Sequence, residues 1–368
     1  MRKIFILGGS TLQLDLILEA KKMFFYTIVL DMDEDCIGSK WCDEFLHIDI
    51  ANKEAVLQKA KEYKIDVVLT SATELGNLTA CFVGEKMGLN TNSYQCAQDT
   101  TDKILMKDIL QKANIQNPRF QIVDDSLKTT WDEFPCIVKP SDSSAGRGLS
   151  YCTDKKQFDA AFTKAMKYSS NNKILIEEYI EGVQFSCETI TSNTAHQIVA
   201  INSEFIHDLP HIMEVSHTIP ANIDTITKNL IKDITPKILD AFNIRYGASH
   251  IELRVTPKHE VYVIEIASRT GGMRSEMINF AYGINYSQLL LLSSLNNLSK
   301  LRFSRYNNVR CNFIIDYDSY KEYLTIKDDK NYIIFEPFKI PQVPKDFEAE
   351  HIGESKGYYF ILQAKTET

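Results

Sequence analysis

The chain has 368 residues, 44% of them hydrophobic and 24% charged, which is the make-up of a folded protein with two or three packed lobes. Its 41 Lys and Arg against 49 Asp and Glu leave a net charge of −8, which argues against body-wide affinity for nucleic acid or an anionic membrane; phosphate would have to be held by local cations, backbone N–H groups or a metal. No apolar run reaches the roughly 18 to 20 residues that span a bilayer, and MRKIFILGGS turns polar after one short apolar segment, so no membrane helix or signal peptide is expected and the cytoplasm is the expected location.

Residues 1 to about 90 alternate short apolar runs with helical periodicity: KIFILGG, a helix near 11–22, TIVLD, a helix near 53–62, DVVLT and a helix near 74–87. Strand, helix, strand, helix predicts a parallel sheet with crossover helices. TDKILMKDILQK at 101–112 reads as one more helix. After about residue 119 the pattern changes to strands and hairpins (RFQIV, CIVK, LSYC, KILIEEYI, VQFSCETI, HQIVAINSEFI), the mark of an α+β domain. A helix from Ile223 to Phe242, expected to bend at Pro236, leads to the strands ASHIELRV and EVYVIEIA and an apolar helix around SQLLLLSSL. From about residue 300 the chain is again strand-rich and reads as a small terminal lobe. The eight cysteines (36, 42, 81, 96, 136, 152, 187 and 311) form no CxxC pair, which fits reduced, mostly buried thiols.

Three segments could carry chemistry. In FPCIVKPSDSSAGRGLSYC (134–152), a strand ending at Lys139 runs into a loop of small residues with one Arg; such a loop can bring N–H groups close to phosphate oxygens, and an ordinary hairpin loop has the same composition. In YGASHIELRVTPKHEVYVIEIASRTGG (246–272), a hairpin centred between Lys258 and His259 sets Glu252 opposite Glu265, with His250 and Arg254 on the same face. Two carboxylates that close repel unless a cation lies between them, and oxygen-only ligation suits Mg²⁺ on nucleotide phosphates. In KILIEEYIEG (173–182), the backbone after Glu177 and Glu178 could meet an adenine edge, or could be a solvated strand end.

Together and in this order, these segments and the Lys103 helix resemble the ATP-grasp superfamily over essentially the whole chain, most specifically in PCIVKPSDSSAGRG, ILIEEYIEG and the pair Glu252 and Glu265-Ile-Ala-Ser-Arg269. The resemblance implies a Rossmann-like pre-ATP-grasp domain over 1–95, a two-lobed ATP-grasp domain over 96–300 with a lid subdomain at about 135–205, and a β-rich C-terminal lobe over 301–368. It implies that Lys103 and Lys139 contact ATP phosphates under a mobile lid carrying Ser141, Ser144, Gly146, Arg147 and Gly148. Glu177, Glu178 and Ile180 would line the adenine, Gln184 would stand where many members place a ribose-binding acid, and Glu252 and Glu265 would carry Mg²⁺. Ala267 replaces an Asn that touches the metal in many members. Lys139 and Arg269 would be catalytic, Arg269 holding the acyl phosphate beside Gly271 and Gly272.

HIMEVSHTIPANI (211–223) resembles the segment of L-amino-acid ligases that puts a Glu and a His, three apart, at the substrate; here these are Glu214 and His217. Glu74 follows the strand DVVLT and could face substrate at a strand end or complement a helix dipole. The opening GGS lacks GxGxxG, so no nicotinamide cofactor is expected. The implied activity is an ATP- and Mg²⁺-dependent carboxylate–amine ligase acting through an acyl phosphate. Its partners would be a small carboxylate and a small amine, with no nucleic acid and no membrane, and with a homodimer left open. The alternatives are a carboxylase or carbamoyl-phosphate-type enzyme and a nucleotide-binding protein without turnover.

Overall fold

The computed structural model describes residues 1–124, 129–207, 212–329 and 332–363. Near the N-terminus, β1 (Lys3–Leu7), β2 (Tyr26–Asp31), β3 (Glu44–His47) and β4 (Val67–Leu69) form a parallel sheet in the order β3-β2-β1-β4. Its two central strands, β1 and β2, are covered on both faces, which is why KIFIL and TIVL read as unbroken apolar runs. Crossovers run through α1 (Thr11–Lys22) and α2 (Lys53–Tyr63), and α3 (Glu74–Met87) follows β4, all at the expected positions. Ser10 and Gln13 close a capping box on α1, and this use of GGS starts a helix without the dinucleotide fingerprint.

After α4 (Tyr94–Asp99) and α5 (Lys103–Lys112), a small antiparallel sheet has the order β5-β8-β6-β7, from β5 (Phe120–Val123), β6 (Cys136–Pro140), β7 (Ser150–Cys152) and β8 (Ile174–Glu178). It is backed by α6 (Lys155–Tyr168), whose buried Phe158, Ala161, Phe162 and Ala165 follow helical spacing.

The third sheet has eight strands in the order β13-β12-β9-β10-β11-β14-β16-β15. They are β9 (Val183–Ser192), β10 (Ala195–Ile206), β11 (Glu214–Ile219), β12 (Tyr246–Val255), β13 (Val261–Ala267), β14 (Asn308–Phe313), β15 (Ile333–Phe335) and β16 (Tyr358–Gln363). The C-terminal strands extend this sheet through β11 and β14, and α10 (Tyr317–Lys327) lies beside them in sequence. One face packs on α5 and α7 (Thr225–Ala241), with Met106, Leu110, Ile231 and Leu239 against Phe185, Ile251 and Leu253. Pro236 lies inside α7. On the other face, α8 (Arg274–Tyr282) and α9 (Tyr286–Ser294) share one core with the N-terminal sheet, from Ile4, Ile6 and Leu16 to Met277, Tyr286 and Val309. All eight cysteines are free, seven of them buried. Among the described residues no helix is long and apolar enough to cross a membrane. Of HIMEVSHTIPANI, His211 lies outside the described residues.

Candidate active site

A cleft of about 730 Å³ is lined by residues of the small sheet and the eight-stranded sheet, by Thr11, Leu12 and Glu74 of the N-terminal domain and by the segment around Phe338 and Tyr358. Its walls bring together Lys103, Lys139, Ser144, Gly146, Arg147, Glu177, Glu178, Ile180, Gln184, Glu214, His217, Glu252, Glu265, Arg269, Gly272 and Glu74, all named from sequence.

At one end the lysines are set on carboxylates. The Lys139 ammonium sits 2.6 Å from Glu177 Oε2, and buried Lys107 sits 2.6 Å from Oε1. Glu177 thus lies between two cations. Burial alone would raise its pKa; Lys107 and Lys139 overcome that and hold it down at about 2. One carboxylate cannot fully compensate two ammoniums. Lys107, the more deeply buried, has its pKa lowered by burial, whereas Lys139 is raised by Glu177 and Glu265 in spite of burial. Lys103, first residue of α5, donates to the Ser143 carbonyl at 2.9 Å and pairs with Glu265 at 3.3 Å, tying the lid loop to β13.

The lid is anchored at its base. Ser141 is fully buried off the cleft wall, its hydroxyl bonded to the Asn171 side chain, and Asp142 accepts from the N–H groups of Ser170 and Asn171. Gly148 has φ +74 and would place a Cβ 2.9 Å from Pro140 and 3.0 Å from Tyr168, so glycine is required there by both backbone and space. Arg147 bonds back to Ser144.

Glu252 and Glu265 face each other across β12 and β13, as expected, but by a different route. The turn is centred half a residue earlier than the sequence suggested, on Lys258, which pairs Val255 with Val261 and Leu253 with Val263. A bulge at Ile264 then shifts the register so that Glu252 meets Glu265. Without it Glu252 would face Ile264 and the carboxylate pair would be lost. The site passes a test of fit for a divalent cation: two paired, partly exposed carboxylates face a cleft with cations poised for phosphate. No group of three or more His, Cys, Asp or Glu that could hold a metal occurs among the described residues, so the remaining ligands would be phosphate oxygens and water, the habit of Mg²⁺. Ala267 is buried and offers no ligand.

The hinge after β8 is partly committed. Glu178 pairs outward with Arg119, and the Ile180 carbonyl accepts from Arg254 at 2.6 Å. Gln184 donates to Glu204 at 2.9 Å and accepts from Arg254 at 3.3 Å, so its amide is already bonded at both ends. Arg269 is ion-paired with Glu74, its Nε donating at 2.9 Å, which joins the two residues assigned separately from sequence. Gly271 donates its N–H to Glu188, and a Cβ there would stand 2.8 Å from Glu188 and His250 and 2.7 Å from Arg274.

Around Glu214 and His217, sequence reasoning missed the residues that hold the pair. Arg274, Glu188 and Glu204 are all nearly inaccessible, and the guanidinium donates a hydrogen bond to Glu204 and is ion-paired with Glu188, which also holds His250. Burial opposes the His250 charge, but Glu188 raises its pKa to about 10. The signal was present: Glu188 stands in VQFSCETI between buried strand residues, where a charge persists only with partners.

Residues 132–277 match the family pattern described as the ATP-grasp domain. The chain is 27% identical over 206 residues to a formate-dependent phosphoribosylglycinamide formyltransferase of Prochlorococcus marinus, covering 54% of this chain and 53% of that one. It is 24% identical over 264 residues to an alanine–anticapsin ligase of Bacillus subtilis, covering 65% and 56%. The chain therefore spans about half the length of these curated relatives. In fold it is similar to an L-amino acid ligase from Bacillus licheniformis (TM-score 0.80, 18% identity, 100% of this chain and 94% of that one). It is also similar to a phosphoribosylglycinamide synthetase from Anaerococcus prevotii (TM-score 0.75, 20% identity, 99% and 95%).

Proposed function

From the match of residues 132–277 to the ATP-grasp domain we propose that the chain is an ATP-dependent ligase of the ATP-grasp superfamily that activates a carboxylate as an acyl phosphate and passes the acyl group to an amine, releasing ADP and phosphate. The observation that carries this reading is the convergence of Lys103, Lys139, the lid loop, the Glu252 and Glu265 pair and Arg269 on one cleft. The adenosine would enter past Ile180 and Tyr179, whose ring lies 4.8 Å from the Arg254 guanidinium, and the phosphates would reach Lys139 and Lys103. Glu252 and Glu265 would hold Mg²⁺, which when bound neutralises phosphate charge.

The substrate carboxylate oxygen attacks the γ-phosphorus, and ADP leaves. Lys139 and Arg269 are cations already present where charge spreads over the transferring group, so little reorganisation accompanies the step. The lid loop covers the acyl phosphate and keeps water from it. The amine then attacks the acyl carbon and phosphate departs. No protein nucleophile is required.

The test is ADP release measured over a panel of paired carboxylates and amines, with and without EDTA. A pair that stimulates release and yields an amide supports the reading. Release that never depends on an amine, or carboxylation of an amine by bicarbonate, would replace it.

A further inference from the structure

The two carboxylates that face each other across β12 and β13 are each met by a basic side chain, and the two basic groups are anchored differently. Glu265 pairs with Lys103 at 3.3 Å. Glu252 pairs with His250, whose Nε2 lies 3.4 Å from Glu252 Oε1. His250 stands two residues before Glu252 on β12, so strand alternation puts both side chains on one face. Its register partner on the neighbouring strand β9 is Glu188, and Nδ1 is hydrogen-bonded to Glu188 Oε1. Both ring nitrogens therefore face carboxylate oxygens, which accept and do not donate when ionised, so the ring donates at both ends.

Glu188 is itself fixed. It is fully buried, accepts from the Gly271 N–H at 3.3 Å and lies 3.3 Å from Arg274 Nε. A Cβ at Gly271 would stand 2.8 Å from Glu188 Oε1 and from His250 Nδ1, so the chain after β13 closes over this contact. Exposure rises along the series, from 0% for the Glu188 side chain through 9% for His250 to 22% for Glu252 on the cleft wall. Lys103 has no such backing. It carries its charge on a flexible stem, and its other bond is to the Ser143 carbonyl in the lid loop, so it can leave Glu265 when the lid or a phosphate moves.

We propose that His250 is a positioning residue for the divalent cation: clamped through Nδ1 by Glu188, it holds one oxygen of Glu252 through Nε2 and leaves the other for the cation. Glu252 is thus set before the cation arrives, whereas Glu265 must first release Lys103. The inference rests on the assignment of Glu252 and Glu265 to Mg²⁺ in the ligase reading above.

The experiment is isothermal titration of the full-length protein with a non-hydrolysable ATP analogue, once with Mg²⁺ and once in EDTA, and the quantity read is the gain in affinity that Mg²⁺ brings. Two variants separate the ends of the ring. In His250→Asn the amide N–H stands near the place of Nδ1 and still serves buried Glu188, but the donor to Glu252 is lost; in His250→Gln the amide N–H stands near the place of Nε2 and can still serve Glu252. His250→Asn should cut the Mg²⁺-dependent gain about 10-fold, the scale of removing a group that orients a metal ligand, with the dissociation constant in EDTA within about 3-fold of wild type. His250→Gln should restore most of the gain. A role confined to holding the fold would lower the melting temperature of both variants and leave the gain unchanged, and that result, or an equal loss in both, overturns the inference. His250→Asn alone decides the matter if His250→Gln does not fold. A wild type that gains nothing from Mg²⁺ sinks the metal assignment and this inference together, whereas a gain kept in wild type and variants alike sinks this inference alone.

Discussion

The two ends of the cleft are both charged, yet they are built differently. At the end proposed for the phosphates, lysines rest on carboxylates: Lys139 and Lys107 on Glu177, Lys103 on Glu265. At the far end, an arginine and two histidines lock three buried or half-buried glutamates, and only Glu214 among those three remains reachable. Lysine is a compact point charge on a flexible stem and can exchange a carboxylate for a phosphate, whereas the Arg274 guanidinium is a rigid fork set between Glu188 and Glu204. The first arrangement suits a ligand that arrives and leaves with several charges; the second suits one fixed recognition geometry.

The comparison breaks most visibly at Glu177. Glu177→Gln removes the shared partner of two buried lysines, and leaving such charges uncompensated costs about 3–5 kcal/mol. Urea unfolding at neutral pH should show that loss. The pH dependence gives a sharper reading. Glu177 has a folded pKa of about 2, below its ordinary 4.5, so its contribution is fully present above pH 4.5 and is lost as pH falls toward 2. The wild type should lose about 3 kcal/mol through that window from this group alone, and the variant should lose correspondingly less. Parallel acid limbs would mean that Glu177 is not held by the lysines.

Next in size is the carboxylate pair. Glu252→Gln and Glu265→Gln should each fold and each reduce turnover roughly 10²-fold, the scale of losing one preorganised electrostatic element. Glu265→Gln should do more, since it also frees Lys103 from β13. Near-wild-type turnover in both would remove the metal assignment and the ligase reading with it.

The lid gives a smaller effect. Gly148→Ala introduces a Cβ at φ +74 against Pro140 and Tyr168, a strain of about 1–3 kcal/mol. The expected result is a lower melting temperature and faster proteolysis within 141–148, with MgATP protecting the wild type more than the variant. Equal protection would detach the lid from nucleotide binding.

How legible each end was follows from the same contrast. The phosphate end is made of local patterns: a strand, Lys139, a run of small residues, and two carboxylates mirrored across one hairpin. The carboxylate pairing was reached although the register beside the turn differs by one residue, because the bulge at Ile264 cancels the shift, and nothing in EVYVIEIA announces a bulge. The far end is assembled by sheet order. Glu188, Glu204 and His217 come from β9, β10 and β11, and Arg274 from a helix 57 residues beyond His217; their meeting depends on register and crossover, which no local spacing encodes. Arg274 gave no signal of its own. The pairing of Arg269 with Glu74 across 195 residues was equally hidden, although each was singled out alone.

The smallest expected effect concerns the hinge. Sequence put the backbone after Glu177 and Glu178 at the adenine edge, with Glu177, Glu178 and Ile180 lining it. The structure turns the Glu178 carboxylate to Arg119, which its two oxygens meet at the backbone N–H (2.9 Å) and at Nε (2.8 Å), on the partly exposed rim of the small sheet. Any contact from this residue to adenine would then come from its main chain, which a side-chain amide leaves in place. Glu178→Gln should therefore change the dissociation constant of an ATP analogue less than about 3-fold, within the modest worth of an exposed ion pair. Isothermal titration on both proteins with Mg²⁺ present reads this directly. A loss of 10-fold or more would mean that the carboxylate leaves Arg119 for the nucleotide, and that the hinge rearranges on binding.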